Sequence, residues 1–177
     1  GEGNLTRLGE LPLGAFPRAL QAADLDGDGL SDLLVVGTSP EVLVIYRQEP
    51  RAVGGFEEVL RRPVGKLPSD LQLLRLPAGL AVAVTAETGA SVEVLGLGLD
   101  AGAIFVTAAQ TIGLGTRATR LVVGDFLGDG HLDLAVGLTR GAPTKSSVAF
   151  FAGDGGFGFP TGPTLEVQVG EGTVALA

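Results

Sequence analysis

The sequence predicts an all-β chain that contains about three copies of a four-stranded antiparallel sheet. Its 177 residues include 29 glycines and 10 prolines, which leaves few stretches long enough for an ordinary helix. Short runs of valine, leucine and isoleucine alternate with glycine-rich turns, which is typical of strands joined by hairpins. Related segments recur about every 50 residues, and such a period indicates a repeat architecture.

The repeats are clearest around two acidic loops. Segments 23–33 and 124–134 share the pattern Asp-x-x-Gly-Asp-Gly-x-x-Asp between apolar runs. Segment 71–84 lies halfway between them, keeps the apolar runs and has Arg75 in place of an acidic loop. We interpret it as a degenerate second copy of the same unit.

Each repeat predicts four short strands in the same order along the chain. The predicted first strands are Leu20–Ala23, Leu71–Leu74 and Leu121–Gly124; the second are Leu33–Gly37, Leu80–Thr85 and Leu134–Leu138; the third are Val42–Tyr46, Val92–Leu95 and Val148–Phe151; the clearest fourth strands are Phe56–Leu60 and Ile104–Thr107. First and second strands are nearly continuous apolar runs, so we expect them to be buried on both faces. The more polar fourth strand is expected at an outer edge that faces water.

Four antiparallel strands that repeat in this way are typical of propeller blades, whereas a parallel solenoid usually repeats faster. The predicted organisation is an outer strand in 1–13, repeat one in 14–64, degenerate repeat two in 65–114, repeat three in 115–163 and the start of a further blade in 164–177. Outer strands are predicted at Asn4–Leu8 and Thr164–Val169, and an inner strand at Thr173–Ala177. Because propellers have about 4–8 blades, this array is an incomplete propeller whose open sides need partners.

Composition excludes several classes of function. The formal net charge is -8, from 12 basic and 20 acidic residues, which argues against a nucleic-acid partner. The chain has no cysteine, so disulfides, thiol catalysis and zinc–thiolate sites are excluded. No apolar run is long enough for a membrane span. Methionine is absent even at position 1, and we therefore expect a processed or partial product.

The first acidic loop predicts a calcium site. Asp24, Asp26, Asp28 and Asp32 occupy loop positions 1, 3, 5 and 9, and the backbone carbonyl of Leu30 is expected to ligate from position 7. Carboxylates this close repel one another, and a hard cation with six to eight oxygen ligands relieves the repulsion. An EF-hand is rejected because its position 12 requires glutamate and Val35 stands there. The alternative is a solvated Asp-Gly turn without metal.

The second acidic loop predicts a weaker calcium site. It keeps Asp125, Asp129 and Asp133, but Leu127 occupies position 3. His131, at position 7, would ligate through its backbone carbonyl only, and we expect its side chain to be exposed. A metal-free turn is the alternative at this loop.

Few residues are available for catalysis. The chain has one histidine, and its serines fall in turns or at strand ends without a nucleophile elbow. Asp154, in a glycine-rich segment, is expected to be a turn residue rather than a general acid. Asn4 begins the sequon Asn-Leu-Thr, which would permit glycosylation, although such a triplet also arises by chance. We expect no enzymatic activity.

The segments Gly124–Gly130 and Asp133–Gly137 resemble FG-GAP repeats of integrin-alpha-type propellers, and Ala152–Phe157 resembles the glycine-rich turn of the related VCBS repeats. This resemblance implies acidic loops in hairpins on one face of a propeller. It also implies that these loops bind calcium structurally, so that the ion ties the first strand of a blade to the second. The sequence departs from the family pattern at Leu127 and around Arg75.

Two functional hypotheses follow. The first is a calcium-stabilised, non-catalytic module on the cell surface or outside the cell, used for adhesion, scaffolding or self-assembly. Its expected partners are further copies of itself or the missing blades of a larger chain, together with a protein or carbohydrate ligand. The alternative is a fragment of a larger propeller enzyme or receptor whose functional site lies elsewhere.

Overall fold

The computed structural model describes residues 9–50, 54–140 and 145–171. These ranges contain twelve strands and no helix, so none of them holds a helix that could cross a membrane. The first sheet contains β1 (Phe16–Ala23), β2 (Asp32–Thr38), β3 (Val42–Gln48) and β4 (Phe56–Pro63); the second contains β5 (Pro68–Leu76), β6 (Gly79–Ala86), β7 (Ser91–Asp100) and β8 (Ala103–Gly113); the third contains β9 (Arg117–Gly124), β10 (Asp133–Arg140), β11 (Lys145–Phe151) and β12 (Leu165–Glu171).

Each sheet is an antiparallel meander in which strands neighbouring in sequence are hydrogen-bonded neighbours. The predicted fold class is therefore confirmed: three four-stranded sheets stand side by side without closing, as in an incomplete propeller. We call them the first, second and third blades. The fourth strands β4, β8 and β12 lie at sheet edges and carry many exposed residues, as their polarity predicted.

The third blade differs from the predicted boundaries. Residues 164–177 were expected to start a further blade, but β12 pairs along β11, from Phe150 opposite Leu165 to Lys145 opposite Glu171. It therefore completes the third blade as its outer strand. The predicted strands at Asn4–Leu8 and Thr173–Ala177 lie outside the described residues.

Alternating side chains of each blade form the cores between blades. The first core joins Leu34, Val36, Leu43 and Ile45 of the first blade to Leu71, Val82, Val84 and Leu95 of the second. The second core joins Ala81, Ala83, Val92 and Val94 to Leu121, Leu134, Val136 and Phe151 of the third. Middle strands such as β6 are therefore buried on both faces, because each face meets another blade.

The innermost strands lie beside one another and share hydrogen bonds across blades. The Gln21 side-chain oxygen on β1 accepts a hydrogen bond of 2.8 Å from the backbone N–H of Leu73 on β5. The Asp70 carboxylate on β5 accepts one of 3.0 Å from the N–H of Leu121 on β9. Polar side chains of one inner strand thus satisfy backbone donors on the next.

The prediction that every first strand is buried on both faces is wrong for β1. Leu20 of β1 is 68% exposed, whereas Leu71 of β5 is 2% and Leu121 of β9 is 1% exposed. The reason is that β5 and β9 each pack on a preceding blade, and no described residue supplies a blade in front of β1.

A segment before β1 covers the outer part of the first blade's free face. Leu11, Leu13 and Ala15 pack against the buried side chains of Val35, Val42, Val44 and Tyr46. The backbone carbonyl of Leu13 accepts a hydrogen bond of 2.9 Å from Arg61, whose guanidinium also forms two hydrogen bonds, of 2.7 and 2.5 Å, with Glu58. This hydrogen bond fixes the segment to β4.

The pKa of Tyr46 gives a pH prediction. Burial raises this pKa above its ordinary value of 10.0, and the nearby Glu58 carboxylate raises it further. A raised pKa means that the folded state favours the neutral phenol, so this stabilisation is present below the unfolded pKa and is lost as pH rises above it. We therefore expect the free energy of unfolding to fall above about pH 10, with tyrosine ionising at higher pH in the folded chain than in denaturant.

Ultraviolet absorbance of tyrosinate measures this directly, because the chain has one tyrosine and no tryptophan. Tyr46→Phe is the matched control and should remove the signal and its share of the alkaline destabilisation. Equal ionisation midpoints in the folded and denatured chain would show that the phenol is not held neutral by the fold.

Candidate metal centre

Both acidic loops lie in the hairpin that joins the first strand of a blade to the second. One connects β1 to β2 and the other connects β9 to β10. At the same place in the second blade, Pro77 and Ala78 form a short turn between β5 and β6. The repeat pattern predicted this arrangement, in which only the first and third blades carry the loop.

In the first loop, aspartate side chains organise the backbone around them. The two carboxylate oxygens of Asp24 accept hydrogen bonds from Gly27 N–H at 2.7 Å and Gly29 N–H at 3.0 Å. Asp26 accepts from Asp28 N–H at 3.1 Å, and Asp28 from Leu30 N–H at 2.8 Å. Gly27 and Gly29 have φ of 83° and 84°, a region that residues with a Cβ rarely adopt, so the loop needs glycine there.

The loop brings three predicted ligands together. Asp24, Asp26 and Asp28 each place a carboxylate oxygen within 4.8 Å of the others. Two like charges at about 4 Å repel by about 1 kcal/mol even in bulk water, and more near a protein surface. Oxygen-only donors with several negative charges suit a hard divalent cation, and calcium accepts the flexible geometry of such a loop. The donor set therefore fits calcium.

Asp32 lies outside that group and is buried, with 1% of its surface exposed. One carboxylate oxygen accepts from Leu25 N–H at 3.0 Å, at the start of the loop. The other accepts from Gln48 N–H at 2.9 Å, at the end of β3. Asp32 therefore joins the loop to β2 and β3, a contribution that the loop pattern alone did not reveal; its role as a ligand stays a prediction.

The second loop repeats this backbone arrangement. Asp125 accepts hydrogen bonds from the N–H groups of Gly128 and Gly130, at 2.7 and 3.0 Å, and Asp129 accepts from His131 N–H at 2.9 Å. Asp133 is fully buried and accepts from three N–H groups, those of Phe126, Leu127 and Gly153, at 2.9 to 3.0 Å. It is thus the counterpart of Asp32.

The two loops differ in how many carboxylates they gather. Within ranges 9–50, 54–140 and 145–171, the first loop alone brings three potential metal-ligating groups so close together. At position 3 of the second loop, the Leu127 side chain is 39% exposed and offers no oxygen. The predicted order of affinity rests on this difference and stays a prediction.

His131 differs from the expectation of an exposed side chain. The residue is half-buried, and its Nδ1 atom is buried against Gly155, where an added Cβ would lie 2.6 Å from it. The ring is therefore packed under the glycine-rich turn of the third blade. The N–H groups of Leu30 and His131 are held by Asp28 and Asp129, and their carbonyls as ligands stay predictions.

Two contacts beside the loops could not be read from the loop pattern. Arg75, from the degenerate repeat, donates a hydrogen bond of 2.8 Å to the backbone carbonyl of Asp24. Gln110 of the second blade forms hydrogen bonds of 2.5 and 2.9 Å with the backbone carbonyl and N–H of Phe159. Arg75 could have been suspected because it aligns with Asp24 and Asp125 in the repeats. Nothing in the sequence indicated the contact of Gln110.

Asp154 behaves as the predicted turn residue, since its carboxylate accepts a hydrogen bond of 2.7 Å from Gly156 N–H. The sequon residue Asn4 lies outside the described residues.

Fold and loops together define a β-propeller-like module with acidic loops in its blade hairpins. The family model for the FG-GAP repeat matches residues 16–48, which extend from β1 through the first acidic loop to β3. The suspected FG-GAP resemblance is therefore confirmed in the first blade, whereas the segments of the third blade on which it was drawn lie outside the match. No curated protein shows a significant match to the chain.

Proposed function

We propose that this chain is a calcium-stabilised, non-catalytic, propeller-like module that works outside the cell or on its surface in adhesion, scaffolding or self-assembly. The observation that carries the proposal is the group of three carboxylates within 4.8 Å of one another in the first loop. That loop lies inside the segment that matches the FG-GAP repeat. The match supports the class of module, and the carboxylate chemistry supports calcium.

In this proposal Asp24, Asp26 and Asp28 hold the ion, with the Leu30 carbonyl and Asp32 completing the oxygen ligands. Bound calcium supplies positive charge that removes the repulsion between the carboxylates and so holds β1 to β2. Asp125, Asp129, Asp133 and the His131 carbonyl form the weaker site. Extracellular modules bind calcium with dissociation constants of about 10⁻⁴–10⁻³ M, so a site as weak as the second one suits a module that works outside the cell.

The polar groups of the loops are occupied in ways that favour a structural role over a catalytic one. Asp32 and Asp133 use their carboxylates to hold backbone N–H groups, and the His131 ring is packed beside Gly155. The second candidate, a fragment of a larger propeller enzyme or receptor, is favoured by the unclosed array of blades. The intact mass of the native protein discriminates between the two.

Calorimetric titration with calcium tests the proposed site and the order of the loops. We expect one tighter and one weaker site, with the tighter site lost in Asp26→Ala. Leu127→Asp should strengthen the weaker site, because it restores a carboxylate at position 3. Val169→Asp, a change at a site that is 51% exposed at the end of β12 away from the second loop, is the matched control. No heat of binding in the wild-type chain would overturn the proposal, and no gain in Leu127→Asp would show that position 3 does not face the metal.

A further inference from the structure

We propose that Arg75 of the second blade is a built-in positive charge for the first acidic loop. It partly neutralises the loop when no metal is bound, and it lowers the affinity of the loop for calcium. The inference rests on the proposed function and adds a regulation of the same site. Three observations carry it: the position of the guanidinium, the fixed placement of the loop against the second blade, and the partners of the arginine side chains.

The guanidinium of Arg75 lies against the first residue of the loop. Its Nη2 atom donates a hydrogen bond of 2.8 Å to the backbone carbonyl of Asp24. That carbonyl and the Asp24 carboxylate belong to one residue, so covalent geometry keeps the two charges within about 8 Å, the Debye length at physiological ionic strength. Asp24 is one of the three clustered carboxylates. The positive charge therefore acts on the cluster without being fully screened.

The loop and the second blade are each held in place, so the distance between these charges is fixed. On the second blade, Arg75 lies in β5 between Leu74 and Leu76, whose side chains are buried. On the first blade, Leu25 follows Asp24, is 7% exposed and belongs to the core between the two blades. Exposed ion pairs usually contribute little, in part because two flexible side chains must be ordered. Here burial has already fixed the backbone on both sides of the contact.

The charge of Arg75 is available to the loop. Among the described residues, the ion pairs between arginines and carboxylates involve Arg47, Arg61, Arg117 and Arg120. Arg75 is not in this group and donates to a neutral carbonyl instead. It also stands where the other two repeats have the first aspartate of the loop. A blade without an acidic loop thus supplies a positive charge to the loop of the blade before it.

A fixed positive charge has opposite effects on the two states of the loop. Without metal, it attracts carboxylates that repel one another and so stabilises the folded loop. With a divalent cation present, it repels the cation. Across such a distance in water, this repulsion corresponds to a factor of about two to five in the dissociation constant. Arg75 therefore makes the first blade less dependent on calcium.

Calorimetric titration with calcium in 0.01 M potassium chloride compares the wild type with Arg75→Gln, which removes the charge and keeps an amide donor. The dissociation constant of the tighter site should fall about two- to fivefold. Arg75→Lys keeps the charge and should bind like the wild type. Arg18→Gln is the matched control, because Arg18 is exposed at the end of β1 away from the loop and the net charge changes equally. In 1 M potassium chloride the Debye length falls from about 30 Å to about 3 Å, and the gain should disappear.

A second measurement needs no metal. In chelator at low salt, Arg75→Gln should melt about 2 °C below Arg18→Gln, because only the first change removes a charge that faces the clustered carboxylates. The rise in melting temperature on adding calcium should then be larger in Arg75→Gln than in the wild type. Both arginines are exposed, so the variants should fold, which circular dichroism checks.

The outcomes separate this inference from the proposed function. If the wild type binds calcium, unchanged or weaker binding in Arg75→Gln, or a gain that persists in 1 M salt, would overturn the inference and leave the calcium site standing. If the wild type binds no calcium, the proposed function fails, and with it the effect of Arg75 on affinity. Equal melting temperatures of Arg75→Gln and Arg18→Gln in chelator would overturn the stabilising role of Arg75 in either case.

Discussion

Asp133→Ala is expected to lower the free energy of unfolding by about 3–5 kcal/mol, more than any other single substitution in the acidic loops. The carboxylate is fully buried and accepts three backbone hydrogen bonds, from Phe126, Leu127 and Gly153. Its removal leaves three N–H donors without an acceptor. The donor of Gly153 is buried, where an unpaired N–H costs about 1–3 kcal/mol, and the part-buried donors of Phe126 and Leu127 add smaller losses. The melting temperature should fall by about 10 °C.

The measurement is chemical denaturation of wild type and variant in chelator, so that metal binding plays no part. Asp133→Asn keeps one carbonyl acceptor in the same place and should recover part of the loss. Asp154→Ala, which removes a single hydrogen bond to Gly156, is the matched control and should cost about 1 kcal/mol. A loss of under about 1 kcal/mol in Asp133→Ala would show that the hydrogen bonds of the Asp133 carboxylate contribute little to the stability of the third blade.

Most of the architecture could be predicted from the sequence because each repeat corresponds to one four-stranded sheet. The spacing of the two acidic loops and of the Arg75 segment predicted three equivalent units, and the structure has three four-stranded sheets. The two glycines of the shared loop pattern, Gly27 and Gly29, have the positive φ of the tight path that brings the aspartates of the first loop together. These features depend on residues close in sequence, where turn chemistry decides the conformation.

Other features depend on which surfaces meet, and local pattern does not determine that. The apolar run of β1 looks like those of β5 and β9, yet Leu20 is exposed because burial needs a neighbouring blade. The assignment of 164–177 to a further blade was wrong for β12, which pairs with β11 of the third blade. The sequence pattern of an outer strand is the same whether the strand ends one blade or begins the next. The hydrogen bond from Arg75 to Asp24 joins two repeats, so neither repeat predicts it alone.

Calcium is expected to raise the stability of the fold by about 2.7 kcal/mol when present at 100 times its dissociation constant, provided that it binds the folded chain and not the unfolded one. For a chain of this size that corresponds to a rise in melting temperature of about 5–10 °C. Asp28→Ala should remove most of the rise, because Asp28 is one of the three clustered carboxylates. Asp100→Ala, an exposed aspartate outside both loops, is the matched control and should keep it.

The melting curve of the wild-type chain, recorded at one protein concentration with saturating calcium and after exhaustive chelation, tests the calcium assignment most directly. The account predicts a higher melting temperature in calcium, by about 5–10 °C, for the wild type and Asp100→Ala, and a clearly smaller rise, from the second loop alone, for Asp28→Ala. Superimposable wild-type curves in calcium and in chelator would contradict it.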